Sequence, residues 1–237
     1  MSSGSTSTDA SEKPLSPWWR HAFILVMTVG FSLLTLVTVL TYTNAPPVPE
    51  RVTGPDGASL FTRENVEHGQ EVFLKYGLME HGSLWGHGAY LGPDYSAEYL
   101  HRLAEISRDT LALERHGKPY AALAPDAAAA VAASVPGLLK ENRYDAATGT
   151  LRFSPAEASA WRIQSAEWAA YFSGPTPAPG LPPQYIRDAR DLADLNSYFA
   201  WAAWATVANR PGKDYSYTNN WPYEPAVGNR PSASTYL

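Results

Sequence analysis

The chain has no cysteine. That excludes disulfides, thiolate metal sites, iron–sulfur clusters and covalent haem attached through a CxxCH motif. An exported domain without disulfides must then be held by its core and its neighbours. Charge is also scarce: 17% of residues are charged and the net charge is −5. No basic stripe is left to form the electrostatic footprint of a nucleic-acid binder. There is no internal repeat. Aromatics, by contrast, are plentiful, with 8 Trp and 14 Tyr in 237 residues.

Residues 22–40, AFILVMTVGFSLLTLVTVL, carry no charge. About 20 such residues suffice for a membrane span at ~1.5 Å rise per residue. Trp18, Trp19 and Tyr42 stand where interfacial aromatics belong. A cleaved signal peptide is the rival, but it would have a shorter apolar region of about 7–15 residues and an A-x-A-like exit. The exit here, TYTNAPP at 41–47, is a poor cleavage site, which favours an uncleaved anchor. Lys13 and Arg20 before the span, against Arg51 after it, point the N-terminus into the cytoplasm. The expected organisation is a disordered, Ser/Thr-rich cytoplasmic N-terminus at 1–21, a transmembrane helix at 22–42, a Pro/Gly-rich linker at 43–57 and an extracytoplasmic domain at 58–237.

That domain reads as mainly α. Thr62 caps a helix over 63–76 whose apolar face is Val66, Val72, Phe73 and Tyr76, and Gly77 ends it. A Gly-rich loop covers 78–95. Ser96 is placed to cap a second helix at 97–116, with Leu100, Leu103, Ile106 and Leu111 at helical spacing. The Ala-rich stretch 125–140 is helical, and Pro136 is expected to break or kink it. Residues 144–153 form a small β-hairpin around Asp145, Thr148 and Gly149. Ser154-Pro155-Ala156-Glu157 is a capping-box start for a helix to about Phe172. A loop at 175–183 leads to a last helix at 185–208, with Leu192, Leu195, Phe199 and Ala202 on one side. The tail from 210 is extended and packed.

Several stretches resemble quinol-dependent nitric oxide reductases: LFTREN at 60–65, GQEVF at 69–73, YGLMEHGSLWGHGAY at 76–90, AWATVANRPGKDYSYTNNWP at 203–222 and VGNRP at 227–231. The resemblance implies a cytochrome-c-like helical domain, enlarged by an insert at 120–180. It would be the N-terminal part of a respiratory membrane oxidoreductase of denitrification, which reduces two nitric oxide molecules to nitrous oxide and water with quinol as donor. In that family the haem b groups and the non-haem iron sit on a membrane-helix bundle that would follow Leu237, so this chain is expected to be non-catalytic and to dock on that bundle. It would sit in the cytoplasmic membrane, in contact with lipid, with quinol an indirect partner. The cytochrome-c-dependent relatives carry a CxxCH motif before Gly-x-Gly-Ala-Tyr. Laid on GHGAY at 86–90, the motif falls on Leu78, Met79, Glu80, His81 and Gly82, so both thioether positions and the proximal histidine are replaced. In those relatives the backbone of the Gly at 88 and the Tyr at 90 face a calcium ion that bridges to the catalytic part. The resemblance therefore makes Gly88 and Tyr90 calcium ligands of the complete enzyme, although two of the 6–8 oxygens that calcium takes are a minority.

Other candidates are weaker. His68, Glu80, His81 and His87 offer metal-ligand chemistry, but their spacing fits no zinc pattern. Trp201, Trp204, Trp221 and Tyr217 read as core or interface aromatics in preference to a quinone pocket. Arg210, Lys213 and Asp214 read as solvated or interface charges. The segments 84–95 and 201–221 are expected to form one aromatic docking face. Two rivals remain: an electron-carrying cytochrome, which the missing cysteines oppose, and a free-standing membrane-tethered binding or assembly module.

Overall fold

The structure is a computed structural model and describes residues 16–175 and 180–231. Most of the N-terminal stretch expected to be disordered, and part of the 175–183 loop, lie outside the described residues. The chain divides into two units, 1–45 and 46–237.

In the first unit, helix α1 (Trp18–Asn44) has 27 residues and none is buried. Its length is ~40 Å at 1.5 Å per residue, more than the ~30 Å of a hydrocarbon core. Its mean hydropathy reaches 2.5 over the most apolar window, so it is long and apolar enough to cross a membrane. At its C-terminal end Thr41 and Thr43 donate their hydroxyls to the carbonyls of Val37 and Val39 (2.9 and 2.8 Å). These polar side chains are thereby satisfied within the helix, which runs a few residues past each end of the charge-free run.

The second unit is mainly helical and begins inside the segment expected as linker. Strand β1 (Arg51–Thr53) pairs antiparallel with β2 (Ser59–Thr62). β1 also pairs in parallel with β6 (Thr150–Arg152), which pairs antiparallel with β5 (Tyr144–Asp145) to complete the expected hairpin. The sheet order is β2-β1-β6-β5. Val52 and Leu151 stand opposite each other and both are buried. A three-residue strand between Pro and Gly has no periodic signal of its own, and its partner is far away in sequence.

Five helices form the body: α2 (Arg63–Lys75), α3 (Tyr95–His116), α4 (Pro125–Lys140), α5 (Pro155–Ser173) and α6 (Ala189–Val207). The capping box at Ser154 and Glu157 forms as expected. At the start of α2, Asn65 Oδ1 accepts from the Thr62 backbone N–H (2.8 Å), and Gly77 takes a left-handed φ of 59° just beyond its end. Pro136 does not break α4. It removes one backbone donor, but Val131, Val135 and Leu139 are fully buried and hold the helix along its whole length. The last helix starts at Ala189 under Asp188, whose side chain accepts from the Arg190 and Asp191 amides. Residues 185–188 are instead extended, with the Ile186 amide donating to Phe172 O (3.1 Å).

α6 is the central element. Every residue from Leu192 to Val207 except Ala193 is buried, and so is Asp191, where one apolar side was expected. Against it lie Phe73, Tyr95, Trp168 and Phe172. Tyr95 stacks on Phe199 with centroids 4.8 Å apart and planes at 6°. The tail is packed as expected: Ser216, Val227 and Asn229 are fully buried.

Candidate functional site

The loop after α2 is built by a chain of backbone contacts. After Gly77 a short 3-10 turn, Leu78–Glu80, brings the Gly82 amide to Leu78 O (2.9 Å). Strands β3 (Ser83–Leu84) and β4 (His87–Gly88) then pair antiparallel. Their two-residue turn is Trp85 and Gly86, both at positive φ (53° and 78°). Such turns match the twist of a hairpin but strain a non-glycine residue. Trp85 is held there by its indole N–H donating to Ala202 O (3.1 Å) and by its ring lying 5.6 Å from Trp201.

Asp94 is the hub of the loop. One carboxylate oxygen accepts from Ser83 Oγ and Gly86 N (2.8 and 2.6 Å); the other accepts from Ser96 Oγ and Ala97 N (2.5 and 2.9 Å). Asp94, one residue before the helix, is thus the cap of α3. Ser96 is not the cap: it lies inside the first turn and its hydroxyl accepts from the Trp85 amide (3.0 Å). Ser96 was the cap expected from the sequence; Asp94 takes that place because its two oxygens serve both the hairpin and the helix.

Gly88 has φ 140°, and a Cβ there would stand 2.8 Å from Ser83 Cα and against Gly82 O, so the strand approach requires glycine. Gly88 is exposed, and Tyr90 is 87% exposed. Both residues expected to face calcium are thus at the surface of the loop. Among the described residues no three His, Cys, Asp or Glu side chains are grouped to hold a metal.

The candidate metal histidines go separate ways. His68 Nδ1 meets Asp194 Oδ2 at 2.7 Å, between α2 and α6. His87 is exposed and turns to Trp85 O (3.0 Å). His81 is buried, 3% exposed, with Nε2 2.9 Å from the Tyr171 hydroxyl and its ring against Gly92 and Gly180. Glu80 is exposed. Above Gly82 the space is occupied: a Cβ on it would lie 2.8 Å from the Tyr95 ring. The position laid on a proximal histidine thus faces the Tyr95–Phe199 stack, and these residues do not fit a haem at that place.

Burial lowers the His81 pKa below its ordinary 6.5. In the unfolded chain the ring takes up its proton near pH ~6.5. The unfolded state therefore binds the proton first, and the linked stability is full above that pH and is lost as pH falls toward the folded value. Urea unfolding of the chain in detergent micelles, between about pH 7.5 and about pH 5.5, checks this. The wild type is expected to lose more stability across that interval than His81→Asn. Equal losses would show that His81 does not carry the effect.

The tryptophans of the second segment are mostly interior. Trp201 is 9% and Trp204 2% exposed; Trp201 donates to Pro47 O (3.0 Å) and Trp204 packs on Tyr217 (5.5 Å). Trp221 is half-buried beside Gly86, where a Cβ would stand 3.0 Å from its Nε1. The two segments expected to form one face are therefore contiguous, but their large rings are core more than surface. The exposed large apolar side chains in them are Tyr90 and Leu91, with Tyr223 just beyond the second segment. Arg210 is not a solvated charge: Nη2 and Nε donate to Tyr217 O and Ser216 O (2.6 and 3.2 Å), stapling the tail. Lys213 and Asp214 are exposed.

The family model of the NorB cytochrome c-like domain, NorB being a nitric oxide reductase component, matches residues 49–223. The chain belongs to that family. The matched span starts just before β1 and ends in the tail, so the cytochrome c-like domain includes the small sheet as well as α2 to α6. No curated protein matches the chain. The domain is thus a NorB domain of the nitric oxide reductases, preceded by a helix that could anchor it in a membrane.

Proposed function

We propose that this chain is the haem-less, quinol-dependent form of the domain. α1 anchors it in the cytoplasmic membrane and the domain lies outside the cytoplasm, following the Lys13 and Arg20 bias. It is not catalytic itself. It docks on the membrane-helix bundle that carries haem b and the non-haem iron, and it forms part of that enzyme's outer surface. The observation that carries this reading is the loss of every haem-c requirement at once: no cysteine in the chain, and a Gly82 roofed by Tyr95. An electron from a soluble cytochrome would have no haem c to land on, so the donor must reach the bundle from the membrane. The test is nitric oxide consumption by membranes containing the enzyme of which this chain is part. A quinol is expected to support it and reduced cytochrome c is not. Turnover with cytochrome c alone would overturn the reading.

Gly88 and Tyr90 are proposed to face a calcium ion at the contact with the bundle. Their exposure leaves the remaining oxygens to the partner, which suits an ion that needs 6–8 ligands. Tyr90→Phe in the complete enzyme removes one oxygen and keeps the ring. Calcium retained per enzyme after dialysis against a chelator is expected to fall. Undiminished retention would leave Tyr90 a contact residue only.

A further inference from the structure

A cavity of about 580 Å³ opens between the first half of α3, the second half of α5 and the loop at 91–93. That volume lies in the range of small-molecule sites, about 300–1,000 Å³. Its walls are largely apolar, with the rings of Trp168 and Tyr171 on one side. Four further lining groups, Glu98, Arg102, Gln164 and Glu167, decide what it can hold.

Arg102 is committed. It donates from Nε and Nη2 to Glu167 (3.2 and 2.5 Å) and from Nη1 to Glu105 (2.5 Å). Glu167 is neutralised by that fork. Glu98 is different: it stands at the mouth, and its carboxylate has no ion pair or hydrogen bond among the described residues. Gln164 is 1% exposed, and its amide nitrogen is engaged by Tyr99 O (3.2 Å), which leaves its oxygen as the acceptor. The phenol of Tyr171 is raised in pKa by burial and also by the negative charge of Glu98, so that charge reaches the aromatic wall.

The cavity thus combines aromatic faces, one uncompensated carboxylate and an amide oxygen, and the only guanidinium among its lining residues is already paired. Aromatic faces attract cations, and a carboxylate strengthens the preference. An anionic ligand would meet Glu98 with no free cation to receive it. We propose that this cavity binds a small organic ammonium ion on an aromatic body, its ring against Trp168 and Tyr171 and its N–H donors toward Glu98 and Gln164. The cavity adjoins Gly88 and Tyr90 through Leu91 but includes neither, and its proposal does not depend on the nitric oxide reductase reading.

Phenethylammonium is the probe, with phenethyl alcohol and phenylacetate as neutral and anionic analogues of the same ring. Each is titrated calorimetrically into the full chain in detergent micelles, with empty micelles subtracted. Saturable one-to-one binding is expected for the amine, weaker by about tenfold or more for the alcohol, and absent for phenylacetate. Glu98→Gln is isosteric, and circular dichroism checks that it stays folded. It is expected to weaken the amine by about tenfold or more while leaving the alcohol unchanged. No saturable binding, equal binding of phenylacetate, or an unaltered affinity in Glu98→Gln would each overturn the proposal.

Discussion

Gly69→Ala is expected to destabilise the chain by about 3 kcal/mol or more, at the upper end of what overpacking costs. Helix propensity alone argues the other way, because alanine is favoured over glycine in a helix interior by ~1 kcal/mol. The structure reverses the sign. Gly69 is buried on the face of α2 that crosses α6, and a Cβ on it would lie 2.7 Å from Tyr198 Cβ and against the Asp194 carbonyl. These are backbone and Cβ atoms, so no flexible side-chain tip can move aside. Relief requires α2 to retreat from α6, and that would stretch the bonds from Asn65 and His68 to Asp194. Gly137→Ala is the matched control. Gly137 sits on α4 with nothing within 4 Å of a Cβ, so it is expected to gain stability by ~1 kcal/mol. Urea midpoints followed by circular dichroism measure both. If the two alanines shift the midpoint in the same direction, the close crossing is wrong.

Asp194→Ala is expected to cost about 3 kcal/mol, the upper end of the scale for leaving buried hydrogen-bonding groups without their partner. Asp194 is 3% exposed, and its two oxygens accept from Asn65 Nδ2 and face His68 Nδ1, each at 2.7 Å. Arg190 Nε approaches to 3.5 Å from the preceding turn, but its side chain is 66% exposed and keeps its hydration. The loss therefore falls on Asn65 and His68, which would be left facing an apolar methyl. Asp194→Asn keeps one acceptor and is expected to cost clearly less. The same unfolding measurement decides; equal costs for the two variants would mean that volume and not hydrogen bonding holds the contact. Asp191, one turn earlier, plays a parallel part toward Lys75 Nζ (2.8 Å) and the Tyr76 hydroxyl (3.3 Å).

The candidate site was legible only in part. The Gly-rich stretch between α2 and α3 read as a loop, and the structure adds to it a 3-10 turn and a two-stranded hairpin. Asp94 was missed. Its importance lies in serving a hairpin and a helix at once, and a capping motif read along one helix cannot show the second partner. His81 looked like a possible ligand in a polar loop and proves to be a buried ring between two glycines. Gly180, which forms one side of that slot, is about a hundred residues away in sequence.

Some features follow from local physics alone. The charge-free run must be a helix if it crosses a bilayer, because every backbone group has to be satisfied within the segment. The starts of α2 and α5 were set by residues three apart, and the absence of cysteine excluded covalent haem without any fold. Tertiary structure decided the rest. It made a three-residue stretch of apparent linker into a strand by pairing Val52 with Leu151, carried α4 through Pro136, and enclosed α6 on all sides so that its two aspartates became internal. In each case the determining partner is distant in the chain. A short strand, a proline or a buried carboxylate has no stable state of its own, and it takes the one that its neighbours in space can satisfy.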